Sequence, residues 1–144
     1  MEINEVRDAV HKTSTDKGFW KDYDDAKDIL PLGDLRSAVQ RAFISQKIML
    51  TVSELSEAME AQRVNHRADR LAYEKALIGI EEGNELTHKV LFEEYIKNSI
   101  EDELADALIR ICDLAGKMGV DLDWHVQRKM EYNGARPYKH GKNF

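Results

Sequence analysis

Cysteine is nearly absent from this sequence, since Cys112 is the single one among 144 residues. A disulfide within the chain is therefore excluded, which suits a reducing compartment. The sequence also lacks an apolar run long enough to cross a bilayer, and its first eight residues lack the basic and apolar sections of a signal peptide. We therefore expect a cytoplasmic protein that has no membrane partner, with Cys112 buried as a small apolar side chain.

An excess of positive charge is missing as well. The 21 lysine and arginine residues are outnumbered by 27 aspartate and glutamate residues, which leaves a net charge of −6. This balance disfavours a general binder of nucleic-acid polymers, because such proteins bind by neutralising phosphates. The length fits one domain, and we expect residues 1–144 to form a single all-α domain.

Two predicted amphipathic helices, at about residues 47–63 and 99–116, each carry a pair of carboxylates. Glu54 and Glu57 are three residues apart in the first helix, and Glu103 and Asp106 are three apart in the second. Residues at this spacing lie on one side of a helix. If the helices pack side by side, the four carboxylates converge, and their repulsion would be costly without cations. Such oxygen ligands favour Mg²⁺, with Mn²⁺ as a substitute.

The acidic positions have an ordinary alternative explanation. They are also what the solvated side of an amphipathic helix contains, with Asp106 and Arg110 paired across one turn. Both helices have an apolar face at helical spacing. The members of these faces are Ile48, Val52, Leu55 and Met59 in the first helix, and Leu104, Leu108, Ile111 and Ala115 in the second.

A Glu-x-x-Glu motif followed by a Glu-x-x-Asp motif, each within an amphipathic helix, resembles the all-α nucleotide pyrophosphohydrolases of the MazG type. The similarity is closest at residues 53–61 and 101–110, and it continues through residues 18–20 and the segments 129–133, 136–137 and 140–142. It implies a bundle of about five to six helices that oligomerises through its helices. The expected assembly is a homodimer or a homotetramer.

The resemblance also implies an activity, which is metal-dependent hydrolysis of a nucleoside triphosphate to a monophosphate and pyrophosphate, in nucleotide-pool housecleaning. Mg²⁺ would be held by Glu54, Glu57, Glu103 and Asp106, and either Glu54 or Glu57 would be the catalytic residue that orients or deprotonates the attacking water. Two alternatives stay open. One is a phosphoribosyl-ATP pyrophosphohydrolase-like activity, and the other is a non-catalytic helical oligomerisation module.

Six further residues are candidates for binding the nucleotide. An aromatic such as Trp20 either stacks on the base or anchors its loop to the core, and Lys47 either meets a phosphate or is a solvated surface residue. Lys129 and Asn133 are one helical turn apart, so that they share a face. The substrate-binding candidates are Trp20, Lys47, Arg110, Lys129, Asn133 and Arg136.

The segment between the two acidic motifs, at about residues 65–98, departs from the family pattern and is predicted to add one or two helices. Its own Glu-x-x-Glu, at Glu82 and Glu85, encloses poor helix formers and is disfavoured as the first motif. Glu85 and His88 form a Glu-x-x-His, but di-iron bundles need two copies of it. Residues 134–144 form a basic C-terminal tail, and His140 and Lys142 belong to it.

Overall fold

The computed structural model describes residues 2–80 and 84–137, and in these residues the chain is helical, with no strand. The all-α class is confirmed. None of the helices in the described ranges is long and apolar enough to cross a membrane. The helices are α1 (Ile3–Asp16), α2 (Lys21–Ile29), α3 (Asp34–Arg63), α4 (Arg70–Ala76), α5 (Glu85–Tyr95), α6 (Ile100–Met118) and α7 (Leu122–Gly134).

Seven helices in the described part of the chain exceed the five to six that we expected. The segment between the acidic motifs contributes two of them, α4 and α5. The spacing of Ile3, Val6, Ala9 and Val10 predicts a first helix at residues 2–13, and α1 extends this to Asp16 and ends before Gly18, whose φ of 81° breaks the helical path. The sequence also suggests Asp34 as an N-cap, but Asp34 is the first helical residue of α3, where its negative charge favours the helix N-terminus.

The described residues fall into two units, and α6 contributes to both. The first unit comprises residues 1–30 and 112–144, and the second comprises residues 31–111. In the first unit, Trp20 and Cys112 are the large fully buried side chains, so the predicted burial of Cys112 is confirmed. The organisation of residues 1–144 as one domain stays a prediction.

Asp113 of α6 is the polar centre of the first unit. Its Oδ1 accepts a hydrogen bond from the indole Nε1 of Trp20 at 2.7 Å and lies 2.9 Å from Nδ1 of His11. The His11 ring also meets the Trp20 ring edge to face, with centroids 5.8 Å apart. Gly116 of α6 also lies against His11. A Cβ at position 116 would lie 2.5 Å from the His11 Cβ, so only glycine fits there.

The N-termini of α1 and α7 cap each other in the same unit. The backbone N–H of Ile3 donates to Asp123, while the backbone N–H of Leu122 donates to the side chain of Asn4. The apolar spacing of residues 122–130 predicts a last helix that begins at Asp121, and Asp121 is the N-cap of α7, where it accepts from Asn4 and from the backbone N–H of Trp124. Aspartate and asparagine oxygens thus satisfy free N–H groups that a helix N-terminus leaves.

The second unit buries small and acidic side chains rather than its large apolar ones. Glu54, Ala58 and Ala61 of α3 are buried, as are Glu103 and Ala107 of α6. The large residues of the two predicted apolar faces are between 45% and 52% exposed. These half-exposed residues are Ile48, Val52, Leu55, Met59, Leu104, Leu108 and Ile111.

Replacing Trp20 by phenylalanine tests the role of its indole N–H. We expect Trp20→Phe to lower the free energy of unfolding by about 2 to 3 kcal/mol, because it removes a buried hydrogen bond to a carboxylate and leaves a gap. Urea denaturation followed by far-ultraviolet circular dichroism measures the change. Trp124→Phe is the matched control, since Trp124 is 55% exposed and its replacement should cost no more than about 0.5 kcal/mol. Equal losses in the two variants would contradict the assignment of Trp20 as an anchor.

Candidate metal centre

Helices α3 and α6 bring three carboxylates together. Glu54, Glu57 and Glu103 each offer an oxygen atom, and these atoms all lie within 4.8 Å of one another. We call this group the carboxylate triad. Glu54 and Glu103 are buried, whereas Glu57 is exposed. Asp106, the fourth predicted ligand, lies outside the triad but lines the same cavity.

The start of α6 is held in place by a set of local hydrogen bonds. The hydroxyl of the fully buried Ser99 accepts from the backbone N–H of Asp102, and the Asp102 carboxylate accepts from the backbone N–H of Asn98. Asn98 has a φ of 59°, a left-handed conformation that asparagine adopts more readily than most residues. Glu103 follows in the first turn of α6, so this turn determines where its carboxylate lies.

The segment that follows α3 is tied to the same turn. The backbone N–H of Ile100 donates to the carbonyl of His66, and the Glu101 carboxylate accepts from the backbone N–H of Ala68 and from Arg67. The hydrogen bond from Ala68 is the main reason that the pKa of Glu101 is lowered. The C-terminal end of α3 is thereby fixed next to the N-terminal end of α6.

Glu103 is a buried acid without a partner. Only 4% of its surface is exposed, and its carboxylate makes neither a hydrogen bond nor an ion pair with the residues that the structure describes, although its backbone N–H donates to the carbonyl of Ser99. Burial raises its pKa first, and the negative charges of Glu57, Asp102, Glu54 and Asp106 raise it further. No buried side-chain oxygen in the described residues lacks a hydrogen-bond partner, so the Glu103 oxygens face the cavities that this residue lines. An ionised carboxylate held among other carboxylates is costly, and a bound cation relieves that repulsion.

Asp106 is also affected by its neighbours. Its pKa is raised by partial burial and then by the charge of Asp102, with a smaller contribution from Glu54, while Arg110 acts in the opposite direction. Arg110 itself donates from Nε to Oε1 of Glu54 at 2.5 Å. The sequence offered Asp106 as its ion-pair partner, but the partner is the buried glutamate on α3. Arg110 therefore offsets one charge of the triad.

A cavity of about 360 Å³ opens over these carboxylates, and helix α5 supplies part of its wall. The segment 65–98 is interpreted from the sequence as a helical insertion between the acidic motifs, and none of its residues is among the predicted metal ligands or substrate-binding residues. The spacing of Lys89, Phe92 and Glu93 at i, i+3 and i+4 places them on one helix face, which is the signal that could have identified them. The described lining consists of Glu54, Glu57, Lys89, Phe92, Glu93, Lys97, Asn98, Asp102, Glu103 and Asp106.

A second cavity of about 380 Å³ shares part of this lining. Glu57, Asn98 and Glu103 line both cavities, and the second one adds Glu60 and His66. Two members of the triad are thus accessible from two sides, although Glu103 itself is almost fully buried.

The other sequence-predicted site residues lie elsewhere. Trp20 is buried in the first unit, which favours its role as an anchor over stacking on a base. Lys47 lies on α3 and does not appear in the described lining of either cavity. Lys129, Asn133 and Arg136 are exposed and belong to the first unit. Their part in substrate binding stays a prediction.

Three positions considered in the sequence are outside the described residues. Glu82 precedes α5, and His140 and Lys142 belong to the basic tail.

Comparison of the chain with protein-family models, with curated proteins and with solved structures gave no match. The resemblance of its acidic motifs to MazG-like proteins therefore stays a prediction. The function has to be argued from the residues and the geometry of the carboxylate triad.

Neutralising Glu103 should stabilise the protein in EDTA. We expect Glu103→Gln to raise the free energy of unfolding at pH 7 by about 1 kcal/mol, or the melting temperature by about 4 °C, because it removes a charge that the neighbouring carboxylates repel. The folded protein holds the Glu103 proton more tightly than the unfolded chain does, so the stability of the unaltered protein falls as pH rises through the raised pKa. The gain from the substitution should therefore vanish at about pH 3, where the acid is protonated in both states.

Glu74→Gln is the matched control for this measurement. Glu74 forms an exposed ion pair with Arg70 on α4, so its substitution should leave the stability unchanged or lower it by no more than about 0.5 kcal/mol. A loss of stability in Glu103→Gln at pH 7 would show that the Glu103 carboxylate is satisfied rather than strained.

Proposed function

We propose that the protein is a metal-dependent nucleotide pyrophosphohydrolase, which converts a nucleoside triphosphate and water into a nucleoside monophosphate and pyrophosphate. The observation that carries the proposal is the carboxylate triad, in which the buried Glu103 has no partner among the described residues. The resemblance of the two acidic motifs to MazG-like enzymes supports the same reaction.

The donor set of the triad fits a hard divalent cation. Glu54, Glu57 and Glu103 offer only carboxylate oxygens, which suit Mg²⁺ and, as a substitute, Mn²⁺. Asp106 and Asp102 line the same cavity and add negative charge to it. When bound there, the cation would neutralise phosphate oxygens and lower the pKa of the attacking water.

The three glutamates differ in what they are free to do. Arg110 contacts one oxygen of Glu54, and Glu103 is buried. Both carboxylates are therefore held in position, which suits metal ligands. Glu57 is exposed, and its carboxylate has no ion pair or hydrogen bond with any described residue. We therefore assign to Glu57 the proton of the attacking water. The water oxygen bonds to phosphorus, the bond between the α and β phosphates breaks, and pyrophosphate leaves.

Pyrophosphate release from a panel of nucleoside triphosphates and phosphoribosyl-ATP, with Mg²⁺ and with EDTA, tests the activity. We expect release that needs Mg²⁺ and that falls by at least about 100-fold in Glu57→Gln, because a general base typically contributes that much. Glu74→Gln, which changes an exposed glutamate on α4, is the control and should retain full activity. Faster release from phosphoribosyl-ATP than from the nucleoside triphosphates would keep the proposed reaction but make phosphoribosyl-ATP the preferred substrate.

No release from any member of the panel, together with no saturable binding of Mg²⁺, would contradict the catalytic proposal. A non-catalytic helical oligomerisation module would then be the better description, and the half-exposed apolar faces of α3 and α6 favour it as the second candidate.

We further propose that a second copy of the chain covers these apolar faces, giving a homodimer or a homotetramer. Seven large apolar side chains on α3 and α6 are about half exposed, while glutamate and alanine are buried in their place. Extended apolar surface of this kind marks interaction sites in proteins. Helices of a second chain would bury it at the spacing that the sequence already provides.

Charge placed on this surface should dissociate the assembly. We expect the unaltered protein to sediment as a dimer or a tetramer and Leu55→Glu to sediment as a smaller species, because a buried unpaired charge is strongly unfavourable in an interface. Leu71→Glu is the control, since Leu71 is 70% exposed on α4 and lies outside the two faces. Far-ultraviolet circular dichroism checks that both variants are helical. Sedimentation of the unaltered protein as a monomer at every concentration would contradict the proposal.

A further inference from the structure

Helix α5 and the turn after it carry three side chains that the proposed metal chemistry does not use. Lys89, Phe92 and Lys97 line the cavity over the carboxylate triad. We propose that they form the nucleotide-binding wall of the site, in which Lys89 and Lys97 bind the phosphates and Phe92 stacks on the base. This inference rests on the proposed function, and it deepens that function by assigning the substrate contacts to the segment 65–98.

The charges of the cavity distinguish the two lysines from their surroundings. Six carboxylates line the described part of the cavity, and Lys89 and Lys97 are the cationic side chains among them. A triphosphate carries several negative charges, so it approaches such a surface only with cations at the carboxylates and with direct contacts from ammonium groups. The lysines are the groups in the described lining that can provide those contacts.

Both ammonium groups are available for a phosphate. The ammonium group of Lys97 has no ion pair or hydrogen bond with any residue in the described ranges. Lys89 pairs with Glu93 one turn away at 3.9 Å, and both side chains are exposed. An exposed pair at this distance contributes little, so that a charge-assisted hydrogen bond to a phosphate oxygen can replace it.

The same local structure that places Glu103 also places Lys97. Lys97 and Asn98 connect α5 to α6, and the backbone N–H of Asn98 is held by Asp102 in the first turn of α6. The buried hydroxyl of Ser99 caps that turn. The backbone of Lys97 is therefore held on both sides, because its own N–H donates to the carbonyl of Phe92 on α5 and the next residue is held by the first turn of α6.

Phe92 offers an aromatic surface on the same face of α5 as Lys89. Its ring meets Tyr73 of α4 edge to face, with centroids 6.4 Å apart and an interplanar angle of 87°, and 39% of the residue remains exposed. Tyr73 thus supports the ring, which a base can then stack against. The cavity volume of about 360 Å³ lies in the range of small-molecule sites.

Isothermal titration calorimetry with two probes separates the parts of this wall. Inorganic tripolyphosphate with Mg²⁺ has no base, whereas an α,β-methylene nucleoside triphosphate has one and cannot be hydrolysed at the α–β bond. We expect Lys89→Ala and Lys97→Ala each to weaken both probes by roughly tenfold, the loss of one charge-assisted hydrogen bond. Phe92→Leu keeps an apolar side chain but removes the aromatic ring, and it should weaken only the nucleotide probe, by roughly tenfold.

Lys75→Ala is the matched control, because Lys75 is exposed on α4 in the same segment and lies outside the described cavity lining. It should change neither affinity, and Mg²⁺ binding should be unchanged in all four variants. The inference is overturned if the lysine variants keep their affinity for tripolyphosphate and Phe92→Leu keeps its affinity for the nucleotide probe, while Mg²⁺ binding and pyrophosphate release persist. Absence of saturable Mg²⁺ binding by the unaltered protein would overturn the proposed function together with this inference.

Discussion

Repulsion among the carboxylates of the triad is the constraint that the rest of the second unit has to offset. Three glutamate oxygens lie within 4.8 Å of one another, and Glu103 is almost completely buried. At such distances like charges repel strongly once water is excluded, so the arrangement has to be supported elsewhere. Arg110 offsets one charge at Glu54, and the alanines at positions 58, 61 and 107 are buried nearby in the same unit. The repulsion that remains is typical of a site prepared for a cation.

Two buried acids of α6 show how different partners give similar residues different roles. Asp113 and Glu103 are both less than a tenth exposed, yet Asp113 is surrounded by Trp20 and His11, whereas Glu103 faces other carboxylates. A carboxylate that accepts hydrogen bonds stabilises its surroundings, while one that faces other carboxylates is retained at a cost in stability. We therefore assign Asp113 to the structure of the first unit and Glu103 to the proposed function.

The segment between the acidic motifs contributes to the site rather than only separating its halves. Its helix α5 supplies Lys89 and Phe92 of the cavity wall, and the residues after this helix supply Lys97 and the turn that starts α6. The apolar faces of α3 and α6 point to a second requirement. Within one chain these faces stay half exposed, so the hydrophobic effect is incompletely used, and a second copy would complete it.

The sequence by itself determined the features that are local along one helix. Helical periodicity predicted α3, α6 and α7, and the spacing of three residues placed Glu54 beside Glu57 and Glu103 near Asp106. The apolar faces were also readable, but the periodicity of a helix does not say what covers each face. It favoured neither the burial of alanine and glutamate nor the exposure of the leucines.

Only the tertiary structure decided which residues from distant segments meet. It paired Arg110 with Glu54 rather than Asp106, buried Trp20 against Asp113, and brought Lys89 and Lys97 to the carboxylates. Apart from the position of Lys97, which lies directly before α6, each of these contacts joins residues more than ten positions apart. Ion pairing and burial depend on the three-dimensional neighbours of a group, and the spacing along a single helix does not contain that information.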